Sequence, residues 1–222
     1  MRKRLRHLRE TLGRDISTPA GRRRARLHFL WLDHGILRTV WKNFHQLDEG
    51  VYRSNQPSPR RLEQFRDMGI RTILNLRGES ENSQYLFEAE ACERLGLRLV
   101  NHRIYATDLA EPEEYLGLID LLGRLEKPFV MHCKSGADRT GVAAVFYLHV
   151  IRGVPLAEAM KQFHWRYVHL RASRNGILDF MFETYRRQGE PRGRSLVEWL
   201  RHDYDPAALR QAFRAGRRGA RA

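Results

Sequence analysis

Cys133 and Arg139 are the two side chains whose types and spacing point most directly to chemistry; Lys134, Ser135, Gly136, Ala137 and Asp138 lie between them. An apolar run, Pro128 to Met131, precedes them and reads as a buried strand, and an Ala/Val/Phe/Leu run comes after as a helix. A strand–loop–helix unit leaves backbone N–H groups unpaired at the helix start. With the positive end of the helix dipole, they form a site for an anion, most naturally a phosphate. A thiol facing that field loses its proton more easily, its pKa falling from about 8.5 to ~3.5–7.5, and becomes a nucleophile. An arginine closing the loop holds a phosphate through two parallel N–H bonds. Gly136 suits a loop whose N–H groups turn inward.

The string His132-Cys133-Lys134-Ser135-Gly136-Ala137-Asp138-Arg139-Thr140-Gly141 resembles the HCxxGxxR[ST]G signature of the cysteine-dependent protein tyrosine phosphatase superfamily. Its five fixed residues have a chance frequency of roughly one in a few million per position. The resemblance implies that Cys133 attacks the phosphorus of a phosphomonoester and forms a phosphocysteine, which water then cleaves. It implies that Arg139 and the N–H groups of Lys134, Ser135, Gly136, Ala137 and Asp138 bind the phosphoryl oxygens. His132 would orient the loop and favour the thiolate; Thr140 would stabilise the sulfur as leaving group. The family supplies a general acid from an upstream loop, and Asp108 in ATDLAEPEEY is the favoured match. Glu111 is a weaker candidate, and Asp138 is the rival, because some relatives carry an acidic residue there.

The stretch VYRSNQPSPRRLEQFRDMGIRTILNLRGE, continued through the signature, is similar to compact atypical dual-specificity phosphatases of bacteria, fungi and plants, over roughly residues 45–185. The expected activity is a tyrosine or dual-specificity protein phosphatase. A lipid-phosphate or inositol-phosphate phosphatase is the alternative, because Lys134 resembles the extra loop cation of such members, although Ala137 stands where they often carry a second. An RNA 5′-triphosphatase and a rhodanese-like sulfurtransferase are more distant readings. No metal and no cofactor is implied, since Arg139 and the loop N–H groups take the place of a cation. A P-loop NTPase is excluded, for no GxxxxGK[ST] string occurs.

The elements that must position these residues read in order. Ser58-Pro59 cap a helix, IRTILNL is a strand, and SENSQYLFEAEACERLG is a helix with Tyr85, Ala89 and Cys92 on one face, placing Cys92 in the core. LRLVNHRIY is a strand. Pro112 opens a helix with Tyr115, Leu118, Ile119, Leu122 and Leu125 inward. GVPLAEAMKQFHWRYVHL and NGILDFMFETYRR read as further helices, and SLVEWLRHDY and PAALRQAFRAG as weaker ones. Strands alternating with helices predict an α/β fold with a central, mostly parallel sheet flanked by helices.

Charge divides the chain. Residues 1–26 hold 10 Lys/Arg against 2 Asp/Glu, residues 186–222 hold 10 against 4, and the middle is balanced within a net charge of +14. The expected organisation is a basic, disordered tail over 1–26, a phosphatase domain over 27–185, and a basic helical extension over 186–222. The Leu/Trp/Phe-rich segment from Ala25 to Leu47 reads as a helix packed on the core, with an amphipathic membrane-lying segment as the alternative. His28, His34 and His45 share no metal-ligand spacing. Basic ends suggest attraction to an anionic membrane surface rather than to nucleic acid, for which no recognition string is present. Two cysteines, no apolar run of about 20 residues and no signal peptide predict a cytoplasmic protein, peripheral at most at the inner membrane face.

Overall fold

The computed structural model describes residues 13–33, 35 and 41–219. They fall into two compact units, one running to Asn101 and including Glu126–Ser135, the other comprising His102–Leu125 and the chain from Gly136 onward.

The first unit holds a five-stranded mixed sheet. β1 (His45–Asp48) pairs antiparallel with β2 (Val51–Asn55). β3 (Thr72–Asn75), β4 (Arg98–Asn101) and β5 (Phe129–Cys133) complete it in the order β1-β2-β5-β3-β4, every pairing after the first being parallel. β5 is therefore central, and all five of its residues are buried. An unbroken apolar run is what a strand flanked by parallel neighbours requires. The sheet is α/β in character, as the alternation of elements predicted.

α1 (Pro19–Leu27), α2 (Pro59–Asp67) and α3 (Ser83–Leu95) belong to this unit. α2 starts as its sequence foretold: the Ser58 side chain accepts from the Arg61 N–H, and Pro59 takes the first turn. Leu62 and Phe65 of α2 meet Ala91 and Cys92 of α3 and Ile73 and Val130 of the sheet in one apolar cluster. The inward face of α3 is Gln84, Phe87, Glu88, Ala91 and Cys92 rather than the stripe through Tyr85 and Ala89. Two of these are polar, so apolar periodicity alone misplaced the stripe by part of a turn.

The expected disorder over 1–26 does not extend to α1. Thr18 caps that helix, Ala25 is fully buried, and Arg22 pairs with Glu90 of α3 at 2.5 Å. A helix that polar holds its place through a single small face: Ala25 and Phe29 pack on Phe87. After Leu27 the chain makes one π-helical turn, His28–Leu32. His34 and residues 36–40 of the Leu/Trp/Phe-rich segment lie outside the described residues.

The second unit holds α4 (Pro112–Arg124), α5 (Asp138–Phe146), the short α6 (Leu156–Ala159), α7 (Gly176–Gln188), α8 (Leu196–His202) and α9 (Pro206–Gly219). Glu111 and Glu114 form a capping box at the start of α4, and Tyr115, Leu118, Ile119 and Leu122 are its buried stripe. The helix expected over GVPLAEAMKQFHWRYVHL stops at Ala159. Short 3₁₀ turns come next, and Val168 adopts a left-handed conformation at φ 62°. His169, one residue on, is pulled inward between two carboxylates, which a continuous helix would not allow.

Candidate active site

The signature begins in the first unit and ends in the second. His132 and Cys133 close β5, register-paired with Ser54 and Asn55 of β2. His132 is 0% and Cys133 1% exposed. The loop backbone is fastened from β2 and its approach: the Gln56 N–H donates to the Lys134 carbonyl at 3.3 Å, and the Asn43 side-chain amide to the Ser135 carbonyl at 2.8 Å.

The two neighbours of Cys133 are the ends of one polar chain. His132 Nε2 and Glu88 Oε1 lie 2.7 Å apart, both side chains fully buried. Glu88 Oε2 accepts from the Gln56 amide at 2.8 Å, and Gln56 Oε1 accepts from Arg77 at 2.9 Å. Arg77 forks onto both oxygens of Asp33 at 3.1 and 3.2 Å, and Asp33 pairs with Lys134 at 3.3 Å. Two strand-end residues, one helix residue and one from the N-terminal segment thus hold the residues flanking the thiol. The His132–Glu88 contact is close but outside hydrogen-bond geometry, whereas Gln56 bonds the second Glu88 oxygen.

In the second unit, Gly136 takes φ 71°, a left-handed conformation suited to glycine, and Ala137 precedes the first turn of α5. Arg139 Nε and Thr140 Oγ1 are buried with no hydrogen-bond partner among the described residues. An orphaned buried guanidinium nitrogen is costly unless a ligand meets it. Gly141 has its own reason: a Cβ there would stand 2.8 Å from the Phe163 ring.

The three acidic candidates differ in their surroundings. Asp138 is enclosed: Oδ1 meets His169 Nδ1 at 2.8 Å and Oδ2 accepts from Asn175 at 2.6 Å. His169 Nε2 in turn meets Asp179 at 2.5 Å. Burial disfavours the imidazolium, but the hydrogen bonds from Asp138 and Asp179 outweigh it and push the pKa up to about 9. Asp108 is half exposed and accepts from Arg210 of α9 at 2.7 Å. Burial pushes its pKa up, yet the Arg210 hydrogen bond and that from the Leu109 N–H prevail, holding the carboxyl below its ordinary range. Glu111 serves the α4 cap and lies 3.6 Å from Arg210. Cys92 is buried beside Glu88, and burial above all pushes its thiol up to about 12, as for an inert core cysteine.

Asp33, Gln56, Arg77, Glu88, His169, Asp179 and Arg210 carry no motif that marks them in the sequence. Arg77 reads there only as a strand end. The others are isolated polar or charged residues whose partners lie ten or more residues away in the chain.

Comparison with known proteins fits this geometry. The model of the tyrosine phosphatase family matches residues 42–215, well over half of the chain. The dual specificity protein phosphatase TpbA of Pseudomonas aeruginosa (strain UCBPP-PA14) is 25% identical over 122 residues, 54% of this chain and 52% of TpbA. The chain thus spans about half the length of that curated relative. Among solved structures, P. aeruginosa TpbA aligns with a TM-score of 0.51 at 19% identity, covering 77% of this chain and 90% of that one. Tk-PTP in its active form aligns with a TM-score of 0.51 at 21% identity, covering 65% and 98%. TpbA has also been solved in complex with pTyr; that structure aligns with a TM-score of 0.50 at 20% identity, covering 72% and 88%. These structural likenesses concern the fold. The family match carries the assignment, and it includes α8 and most of α9, which lie beyond the 45–185 stretch recognised from sequence. The chain belongs to the tyrosine phosphatase family.

Proposed function

We propose that the chain hydrolyses phosphomonoesters through a phosphocysteine intermediate and that its substrates are phosphorylated proteins, phosphotyrosine first among them. The observation that carries this reading is the Cys133–Arg139 loop itself. A buried thiol ends the central strand, and a buried arginine nitrogen without a partner among the described residues stands in the first turn of the next helix. Family membership and a relative solved with pTyr support it.

In this mechanism the Cys133 thiolate bonds to phosphorus while the ester oxygen departs with the electron pair of the broken P–O bond. Arg139 and the N–H groups of residues 134–139 carry the charge of the transition state. Asp108 protonates the leaving oxygen and, as carboxylate, then takes a proton from the water that cleaves the S–P bond. Thr140 donates to the departing sulfur. Asp108 is preferred to Asp138 as acid because its side chain is half exposed, whereas both Asp138 oxygens are already bonded.

Rapid acid quenching during turnover of a phosphotyrosine peptide should trap a phosphoryl group on the peptide containing Cys133. Asp108→Asn should lower turnover of a poor leaving group by about 10²–10⁴-fold while sparing a good one. If Asp138→Asn does this instead, the acid is misassigned; if no phosphoryl group is trapped on Cys133, the mechanism is wrong.

The lipid-phosphate reading is weaker, because the charge of Lys134, its main support, is engaged by Asp33. An anionic membrane surface as a docking partner for the basic ends is retained as part of the proposal, with a peripheral cytoplasmic location. No described helix is long and apolar enough to cross a membrane.

A further inference from the structure

Asp33 brings a negative charge to a place where the signature supplies positive ones. Its side chain is 8% exposed and receives both Arg77, itself 15% exposed, and Lys134. These three line a cavity of about 320 Å³ with His28, Asn82 and Gln84. Two cations and two amides in its lining make a natural seat for a second anionic group, and one of the cations, Lys134, directly follows Cys133. Asp33 stands between the cations and cancels half of their charge.

Asp33 belongs to the segment before residue 42, where the family match begins. That segment is fastened: Phe29 packs edge-on against Phe87 at 6.4 Å, and His28 Nδ1 meets Ser83 Oγ at 2.8 Å. The carboxylate is therefore delivered by an addition to the matched domain. A stability role alone explains it poorly, since a buried ion cluster is commonly no more stabilising than a neutral replacement of similar shape.

We propose that Asp33 determines specificity at the signature loop by occupying the cations that would otherwise receive a second phosphate of the substrate. The site then favours an isolated phosphomonoester and turns away compounds with a neighbouring phosphate. This rests on the proposed phosphate site at Cys133–Arg139. Arg77 keeps its bond to Gln56 without Asp33, so its guanidinium should stay in place in a neutral variant.

Calorimetric titration of the full chain with inorganic phosphate and with pyrophosphate tests the proposal without turnover. The unmodified protein should bind the two anions within about threefold of each other. Asp33→Asn should tighten pyrophosphate about tenfold more than it tightens phosphate, the size expected for removing one unit charge a few ångström away in a half-screened site. Asp33→Glu should keep the original ratio. A tenfold preference for pyrophosphate in the unmodified protein would overturn the proposal whether or not the Asn variant folds. So would an Asn variant that shifts both anions equally or neither. Absence of phosphate binding would remove this inference and the site together. Binding as described, without Cys133-dependent hydrolysis, would count against the proposed reaction alone.

Discussion

His169 is the clearest residue at which the structure makes a solution prediction. Its folded pKa lies near 9, above the ordinary 6.5, because Asp138 and Asp179 hold the imidazolium against the cost of burial. A raised histidine pKa stabilises the fold fully below about pH 6.5 and loses that contribution as pH rises through about 9. The stabilisation at stake is on the order of 3 kcal/mol. Urea midpoints should therefore fall between about pH 6.5 and 9.5 in the unmodified protein and change much less in His169→Gln; parallel pH curves would contradict this. Gly141 gives a second test at this scale. Gly141→Ala must push a methyl group toward Phe163 at 2.8 Å, and should cost about 1–3 kcal/mol in thermal or denaturant unfolding. An unchanged melting temperature would show that the ring moves aside freely.

α9 is the element whose position matters most for the chemistry. Arg210 bonds Asp108 and the Leu109 carbonyl, both at 2.7 Å, and Tyr204, just before α9, bonds the Ala110 carbonyl at 2.8 Å. The extension thus holds the loop that bears the proposed acid. An acid must be protonated to act, so a lowered Asp108 pKa places the alkaline limb of the rate profile at low pH. Arg210→Gln should move that limb to higher pH; a limb that stays fixed would separate Arg210 from the acid. Little of this is legible in the sequence. The strand and loop of the signature, Ser58 as a cap and the α4 stripe come from local rules, and all are present. The docking of α1, the inward face of α3 and the break after Ala159 depend on long-range partners: Phe87 for Phe29, the sheet end for Glu88, Asp138 and Asp179 for His169. The same holds for the site. Its proposed nucleophile and phosphate ligands are contiguous in sequence, whereas Asp33, Glu88 and Arg210 gain meaning only through contacts across tens of residues.

For the whole molecule, charge is the property that sequence and structure share most directly. The net +14 comes from the two ends of the chain, and the described part of the N-terminal end forms a docked helix rather than a loose tail. Binding to vesicles containing anionic lipid should be strong at low salt and fall steeply by about 0.5 M, as screened electrostatic attraction requires. Equal binding to neutral vesicles, or none at low salt, would remove the membrane from the account. The central claim concerns the reaction, and the most direct test is phosphate release from a phosphotyrosine peptide, a phosphoserine peptide, a soluble inositol phosphate and a lipid phosphate in vesicles, with Cys133→Ser as the blank. Cys133-dependent release is expected, fastest from the phosphotyrosine peptide. Release from none of the four, or release that survives in Cys133→Ser, would contradict it.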